Sequence, residues 1–119
     1  MSRDPRQRIE DAIEACEQIA LYIEGYDFER FSQDTKTRDA VIRQFEIAGE
    51  AVKGVPESFR SLEPGIPWRQ IAGFRDVLSH SYFAVELHIV WDAASLKAPD
   101  LKAACERLLA SPPLSDSSA

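Results

Sequence analysis

Residues 8–25 read RIEDAIEACEQIALYIEG, and this stretch decides the fold. Its apolar side chains recur at spacings of four, three, four and three residues, which is the period of one face of an α-helix. The glycine that follows predicts the end of a long amphipathic helix near Gly25. The apolar face consists of Ile9, Ile13, Cys16, Ala20 and Ile23.

A second helix is predicted after residues 32–37, which offer several N-cap side chains. Its apolar residues cover more than one face, so we expect neighbouring elements on more than one side. The helix should end near Gly54, because Pro56 follows and proline restricts the residue before it to extended conformations. The apolar positions are Val41, Phe45, Ala48 and Val52, with Ala40, Ile47 and Ala51 beside them.

The second half of the chain predicts three further helices. Turn residues in 56–65 predict a loop, and Pro67 suits the first position of the third helix. We expect a break around residues 79–83 and then a fourth helix, which Pro99 interrupts before a last helix that is either separate or a bent continuation. The third helix carries Trp68, Ile71, Ala72, Arg75 and Leu78, the fourth Val85, Ile89 and Leu96, and the last Leu101, Ala104, Cys105 and Leu108.

These elements predict an all-α fold, an up-and-down four-helix bundle with a short additional C-terminal helix. A chain of 119 residues suits one domain, which we expect over residues 1–110. Residues 111–119 are rich in serine and proline and predict a disordered tail. Only 5 glycines and no alternating β-branched runs argue against a β sandwich or barrel.

Charge and cysteine content restrict the class of function. The 14 basic and 20 acidic residues give a net charge of −6, which argues against broad adhesion to nucleic acid and leaves room for one local site. Cys16 and Cys105 are isolated in sequence and predict free thiols of a reducing compartment. The N-terminus lacks the apolar core of a signal peptide, and the apolar runs are shorter than the roughly 18 residues of a spanning helix. We therefore expect a cytoplasmic protein with no membrane partner.

The stretch RDVLSHSY, residues 75–82, holds the candidate site. Arg75 falls on the apolar face of the third helix, where a permanent cation must be paired, placed at an interface or used. On a continuous helix, Arg75 and His80 lie about 140° apart, since each residue turns by about 100°. They converge if the helix unwinds before His80, or if a second chain completes the site across a two-fold axis. Asp76, four residues before His80, is placed to orient the imidazole.

These residue types suit cleavage of RNA without a metal ion or cofactor. A histidine can exchange protons with the attacking and leaving oxygens, and an arginine can hold the phosphate and stabilise the charge that develops on it. Tyr82 adds a nearby hydroxyl. The residues alone also fit a structural polar cluster.

The pattern Arg75-x4-His80-x-Tyr82 resembles the motif of HepT-like ribonuclease toxins, a branch of the HEPN superfamily. The blocks at residues 44–51, 71–83 and 90–92 are similar to that family as well, although Asp76 stands where many relatives carry asparagine.

The resemblance implies a HEPN-like bundle that forms a homodimer and acts as a metal-independent endoribonuclease, with Arg75 and His80 catalytic. It implies a toxin of a toxin–antitoxin system, whose partner is a minimal nucleotidyltransferase antitoxin that transfers AMP to Tyr82. Each AMP group would bring phosphate charge next to the phosphate-binding residues.

Two further residues and two further classes of function stay open. Glu50 is either a buried counter-ion for Arg75 or a solvated helix charge, and His88 is more typical of an exposed helix histidine than of a second catalytic group. A second class of function, in place of a ribonuclease, is a non-catalytic nucleotide-binding or adaptor module. The third class is a structural helical dimer in which Arg75 and Asp76 form an interface ion pair.

Overall fold

The computed structural model of the protein describes residues 4–80 and 87–110, with side chains at 4–74 and 87–110. The predicted all-α fold class is confirmed. The predicted tail at 111–119, together with Tyr82 and Val85, lies outside the described residues. No described helix is long and apolar enough to cross a membrane. The helices are α1 (Pro5–Tyr22), α2 (Phe28–Gln33), α3 (Thr35–Lys53), α4 (Glu57–Arg60), α5 (Trp68–His80), α6 (Leu87–Asp92) and α7 (Ala98–Ala110), with a π-helical turn, Ala93–Lys97, between the last two.

Helix α3 lies at the centre of the bundle and packs against α1, α5 and α2. Neighbours on more than one side were expected from its apolar pattern, and this prediction is confirmed. The helix ends at Lys53, with Gly54 as its C-cap. Its buried residues are Val41, Ile42, Phe45, Ala48, Gly49, Ala51 and Val52.

Helix α1 packs between α3 and α7. It begins at the Asp4 cap, whose carboxylate accepts a hydrogen bond from the Arg6 amide at 2.7 Å. It ends just before the turn at Gly25, which has a φ of 78°. The predicted buried position of Ala20 is wrong: Ala20 is exposed and Ile19 is buried instead, because two flanking helices cover a face centred on small residues. The buried residues are Ile9, Ala12, Ala15, Cys16 and Ile19.

Asp34 joins α2 to α3, since it is the C-cap of the first helix and the N-cap of the second. Its carboxylate accepts hydrogen bonds from the Thr37 amide at 3.0 Å and from the Tyr26 hydroxyl at 2.6 Å. The apolar pattern did not predict α2, whose buried residue is Phe31. The N-cap residue of α3, Asp34, does lie within residues 32–37, where the N-cap was predicted.

Arginine side chains cover the ends of two helices. Arg60, in the single turn of α4, donates to the Val52 and Lys53 carbonyls at 2.8 and 3.2 Å, at the end of α3. Arg6 donates to the Leu109 carbonyl at 2.8 Å, near the end of α7. Both contacts satisfy carbonyls that have no partner within their own helix. The predicted loop at 56–65 therefore contains one helical turn.

The chain from Leu87 to Ala110 is one continuous helical run, so the predicted interruption at Pro99 is wrong. Proline lacks an amide hydrogen, and its ring collides with the carbonyl four residues earlier in an α-helix. The π-helical turn just before Pro99 relieves this conflict, because there the Ala98 amide donates to the Ala93 carbonyl, five residues back. The last helix is therefore a continuation of the fourth, joined to it through the π-helical turn.

Replacing Asp34 with alanine should destabilise the protein at neutral pH. The Tyr26 hydroxyl and the Thr37 amide and hydroxyl hold the pKa of this carboxyl at about 2, below its ordinary value of 3.8. A depressed pKa contributes stability above the ordinary value, and this contribution is lost as the pH falls toward 2. Urea unfolding followed by circular dichroism should show a gap between parent and Asp34→Ala that is full at pH 7 and narrows below about pH 4.

Glu10→Ala is the matched control, because Glu10 is an exposed carboxylate on α1. Its unfolding curve should stay close to that of the parent across the same pH range. A gap for Asp34→Ala that does not change between pH 7 and pH 2 would contradict the proposed origin of the stabilisation.

Candidate active site

Helix α5, which carries Arg75, Asp76 and His80, is fixed at its start by contacts with α7. The Trp68 side chain is 6% exposed, and its indole N–H donates to the Glu63 carbonyl at 3.0 Å. Arg107 of α7 donates to both oxygens of the Glu63 carboxylate, at 2.7 and 3.1 Å. These bonds hold the pKa of Glu63 below its ordinary value. The first residue of the motif helix is thus linked to α7 through Glu63.

Further along α5, an aromatic contact holds the helix against α3. The Phe74 ring meets the Phe45 ring edge to face, with ring centroids 5.3 Å apart. Ile71 and Ala72 are partly buried and pack against the core. Arg75 directly follows Phe74 in the chain, so the contact fixes the backbone that enters the motif.

The helix is continuous from Trp68 to His80, so the alternative that it unwinds before His80 is wrong. By helical register Arg75, seven residues after Trp68, falls within about 20° of that buried residue. His80 instead falls within about 20° of Arg69, which is exposed. The two motif residues are therefore on different faces of one helix. The side chains of residues 75–80 and the whole of Tyr82 lie outside what the structure describes.

Glu50 is exposed and lies on the side of α3 that faces α1. It borders a surface groove with Arg8 and Arg43, and its backbone carbonyl accepts a hydrogen bond from Arg8 at 3.3 Å. It is five residues after Phe45, the residue that contacts α5, and is therefore about 140° around the helix from it. An exposed position does not fit a buried counter-ion, and a role of Glu50 beside Arg75 stays a prediction.

Two aromatic contacts hold α6 on the other side of residues 81–86. The His88 imidazole stacks on the Phe28 ring of α2, with ring centroids 3.7 Å apart and an angle of 13° between the planes. The Trp91 and Phe31 rings are tilted, with centroids 5.3 Å apart. The expected exposed position of His88 is confirmed, but its ring has a specific partner that the sequence pattern did not reveal.

An apolar cleft of about 220 Å³ opens between α5 and the run from α6 to α7. Sequence reasoning missed it, because its walls come from helices far apart in the chain. Ile89, which lines the cleft, is 52% accessible. The lining residues include Phe45, Ile71, Phe74, Ala93 and Leu101, with Gln70 and Lys97 as the polar members.

Comparison with known proteins identifies the family. The model of the family described as HepT-like, Ribonuclease HepT-like, matches residues 12–108. The chain belongs to the HepT-like ribonuclease family. The predicted membership is confirmed, and with it the expected class of enzyme, a ribonuclease.

Curated relatives of this HepT-like protein match over most of their length. The protein named "Probable ribonuclease HepT" of Thermococcus cleftensis is 43% identical over 108 residues, which cover 91% of this chain and 98% of the relative. A candidate RNase of Caldanaerobacter subterraneus subsp. tengcongensis is 36% identical, over 90% of this chain and 96% of its own. A candidate RNase of Methanocaldococcus jannaschii is 39% identical, over 82% and 81%. No solved structure matches the chain.

Both cysteines of the HepT-like chain are free and buried, as expected from their isolation in the sequence. Burial raises the pKa of Cys16 to about 12. It raises the pKa of Cys105 to about 12 as well. Thiols with such values are almost entirely protonated at neutral pH and are poor nucleophiles.

A thiol reagent should therefore label neither cysteine in the native protein, but both in urea. The reason is the combination of burial and the raised pKa, which removes the reactive thiolate. Mass spectrometry after a timed exposure to an alkylating reagent measures the labelling. Ser58→Cys, at an exposed position of α4, supplies a site that should react at once. Rapid labelling of Cys16 or Cys105 in the folded protein would contradict the prediction.

Proposed function

We propose that this HepT-like ribonuclease is a metal-independent endoribonuclease whose catalytic residues are Arg75 and His80. The observation that supports the proposal is the match to the family model over residues 12–108, a range that includes the whole Arg-x4-His pattern. Both motif residues belong to the unbroken helix α5. A permanent cation at the register of the buried Trp68 also needs a function or a partner. An anionic phosphate meets that need.

Each motif residue has a distinct task in this mechanism. His80 exchanges protons with the 2′-hydroxyl and the leaving oxygen, a contribution of about 10²- to 10⁴-fold. The Arg75 guanidinium holds the scissile phosphate and stabilises its developing charge. Asp76, one helical turn before His80, orients the imidazole. The net charge of −6 fits RNA bound at one cleft rather than over the whole surface.

The active unit in this proposal is a homodimer. The α5 helix separates Arg75 and His80 by about 140° around its axis and about 7.5 Å along it. Two α5 helices that face each other across a two-fold axis can pair the arginine of one chain with the histidine of the other. The exposed apolar side chains of Ile89 in α6 (52%) and Leu96 in the π-helical turn (64%) supply surface that such an interface would bury.

The physiological role in this proposal is that of a cytoplasmic toxin held in check by a nucleotidyltransferase antitoxin. The antitoxin transfers AMP to Tyr82, two residues after His80. Each AMP adds negative charge and bulk beside the residues that bind phosphate, so RNA is repelled and the arginine is occupied. The free, buried cysteines suit a reducing compartment.

Arg75→Ala and His80→Ala should each abolish RNA cleavage and growth arrest. Cleavage by the parent should continue in a chelator, since no metal takes part. Mixing the two purified variants should restore about a quarter of the parental rate, because about half of the dimers pair the variants and one of their two sites is intact. Cleavage of a fluorescent single-stranded RNA, before and after subunit exchange, measures this.

Arg69→Ala is the matched control, because Arg69 is an exposed arginine on the same helix outside the motif. It should cleave RNA at a rate near that of the parent. Unimpaired cleavage by both motif variants would show that the site lies elsewhere, and absence of recovery on mixing would place it within one chain. Nucleotide binding without any cleavage by the parent would identify the non-catalytic module instead.

Co-expression with the antitoxin should increase the intact mass of the protein by whole AMP units. Because Tyr82 is the proposed acceptor, Tyr82→Phe should keep the unmodified mass and stay toxic in the presence of the antitoxin. Peptide mass spectrometry locates the group, and Tyr22→Phe, in α1, is the control that should still be modified. An unmodified parent would contradict this part of the proposal.

A further inference from the structure

Aromatic contacts hold the chain on both sides of the motif. Phe74, directly before Arg75, packs on Phe45 of α3 with centroids 5.3 Å apart. His88, two residues into the described chain after residues 81–86, stacks on Phe28 of α2 at 3.7 Å. The two ends of the motif region are therefore held by different helices, α3 and α2.

Helices α2 and α3 are themselves joined firmly. The carboxylate of Asp34 caps α3 and accepts from the Tyr26 hydroxyl at 2.6 Å, while Thr37 donates to it from its hydroxyl at 2.9 Å. Helix α3 in turn packs on α5, and α2 packs on α6. The contacts thus form a continuous series from α5 through α3 and α2 to α6. A displacement of α2 would shift the start of α6 relative to the end of α5.

The Phe28–His88 stack is one of the contacts between α2 and α6, the last two helices of this series. Phe28 is the first residue of α2, and its place is set by Asp27, whose carboxylate accepts from the Arg30 amide at 2.9 Å. His88 is the second residue of α6. Helix α2 is 6 residues long, and an isolated helix of that length is unstable in water, whereas α6 is the first part of the continuous run from Leu87 to Ala110. The position of α2 against the first turn of α6 therefore depends on contacts such as this stack.

The geometry of the stack identifies which property of the histidine matters. The ring planes differ by 13°, so the imidazole presents its flat face to Phe28. Two flat rings at 3.7 Å are in van der Waals contact, and phenylalanine offers no hydrogen-bond partner to either ring nitrogen. A flat aromatic ring is therefore sufficient to make this contact, whether or not it carries a proton.

We propose that the Phe28–His88 stack is a positioning contact for the ribonuclease site, through which α2 sets where the chain returns from the motif. The inference rests on the proposed function of Arg75 and His80. His88 acts through the placement of those residues and exchanges no proton with RNA. A ring that stacks but cannot titrate should therefore replace it.

Four substitutions separate stacking from proton transfer. His88→Phe keeps a flat ring and removes the titrating group, whereas His88→Gln keeps a polar side chain and removes the ring. Phe28→Ala removes the partner, and Phe28→Tyr keeps it. Phe59→Leu is the control for general loss of stability, because Phe59 is buried in α4, away from α2 and α6. The values of kcat and KM on a single-stranded RNA are measured per folded enzyme, together with the pH profile of kcat.

Loss of the stack should lower kcat about tenfold or more in His88→Gln and Phe28→Ala, since small displacements of catalytic groups have large effects on rate. KM should stay within about twofold of the parent, because neither ring touches RNA in this proposal. His88→Phe and Phe28→Tyr should keep kcat and the pH profile of the parent, and Phe59→Leu should keep kcat. A loss in His88→Phe as large as in His88→Gln, or a parental kcat in both His88→Gln and Phe28→Ala, would overturn the proposal.

Hydrogen–deuterium exchange tests the contact without any cleavage. Backbone amides of α6 and of the last turn of α5 should exchange faster in His88→Gln and Phe28→Ala than in the parent, and at the parental rate in His88→Phe. If the parent cleaves no RNA, the proposed function fails while the exchange rates still decide the positioning contact. Unchanged exchange in His88→Gln and Phe28→Ala would refute it.

Discussion

Burial of α3 on three sides is the constraint on which the rest of the structure depends. This helix contacts α1, α2 and α5, so the positions of all three are set relative to one another through it. A buried phenylalanine such as Phe45 typically contributes about 3–5 kcal/mol against truncation, a large share of the roughly 5–15 kcal/mol that stabilises a domain. The motif helix therefore lies on the most heavily packed element of the fold, as a precise site requires.

Sequence reasoning predicted the helices whose stability comes from a long apolar face. The patterns around Ile9 and Phe45 are long enough to show the helical period several times, so α1 and α3 were predicted close to their observed ends. The short helices α2 and α4 were missed, because 6 and 4 residues are too few to show a period. Caps and distant side chains hold these short helices. The break predicted at Pro99 was wrong, because the π-helical turn that accommodates the proline depends on packing and is not visible in the sequence pattern.

The candidate site was predictable in its residue types and not in its surroundings. The spacing of Arg75 and His80 predicted either an unwound helix or a second chain, and the continuity of α5 rules out the unwound helix. The stack on His88 and the cleft between α5 and α6 could not be inferred, because each joins segments that are far apart in sequence. Exposure of Glu50 was likewise invisible, since its pattern position is compatible with either side of α3.

A separation of five residues occurs twice in this chain with opposite geometric results. In the π-helical turn the bond from Ala98 to Ala93 brings these two alanines to the same side of the helix, and both are buried in the same core. In the ordinary α-helix α5, Arg75 and His80 have the same separation and diverge. The π-helical turn, which brings residues five apart to one side, thus occurs between α6 and α7 and not in the motif helix α5. In the proposed dimer, a regular motif helix leaves one subunit with an incomplete site, so the rate of RNA cleavage would depend on subunit association and therefore on protein concentration.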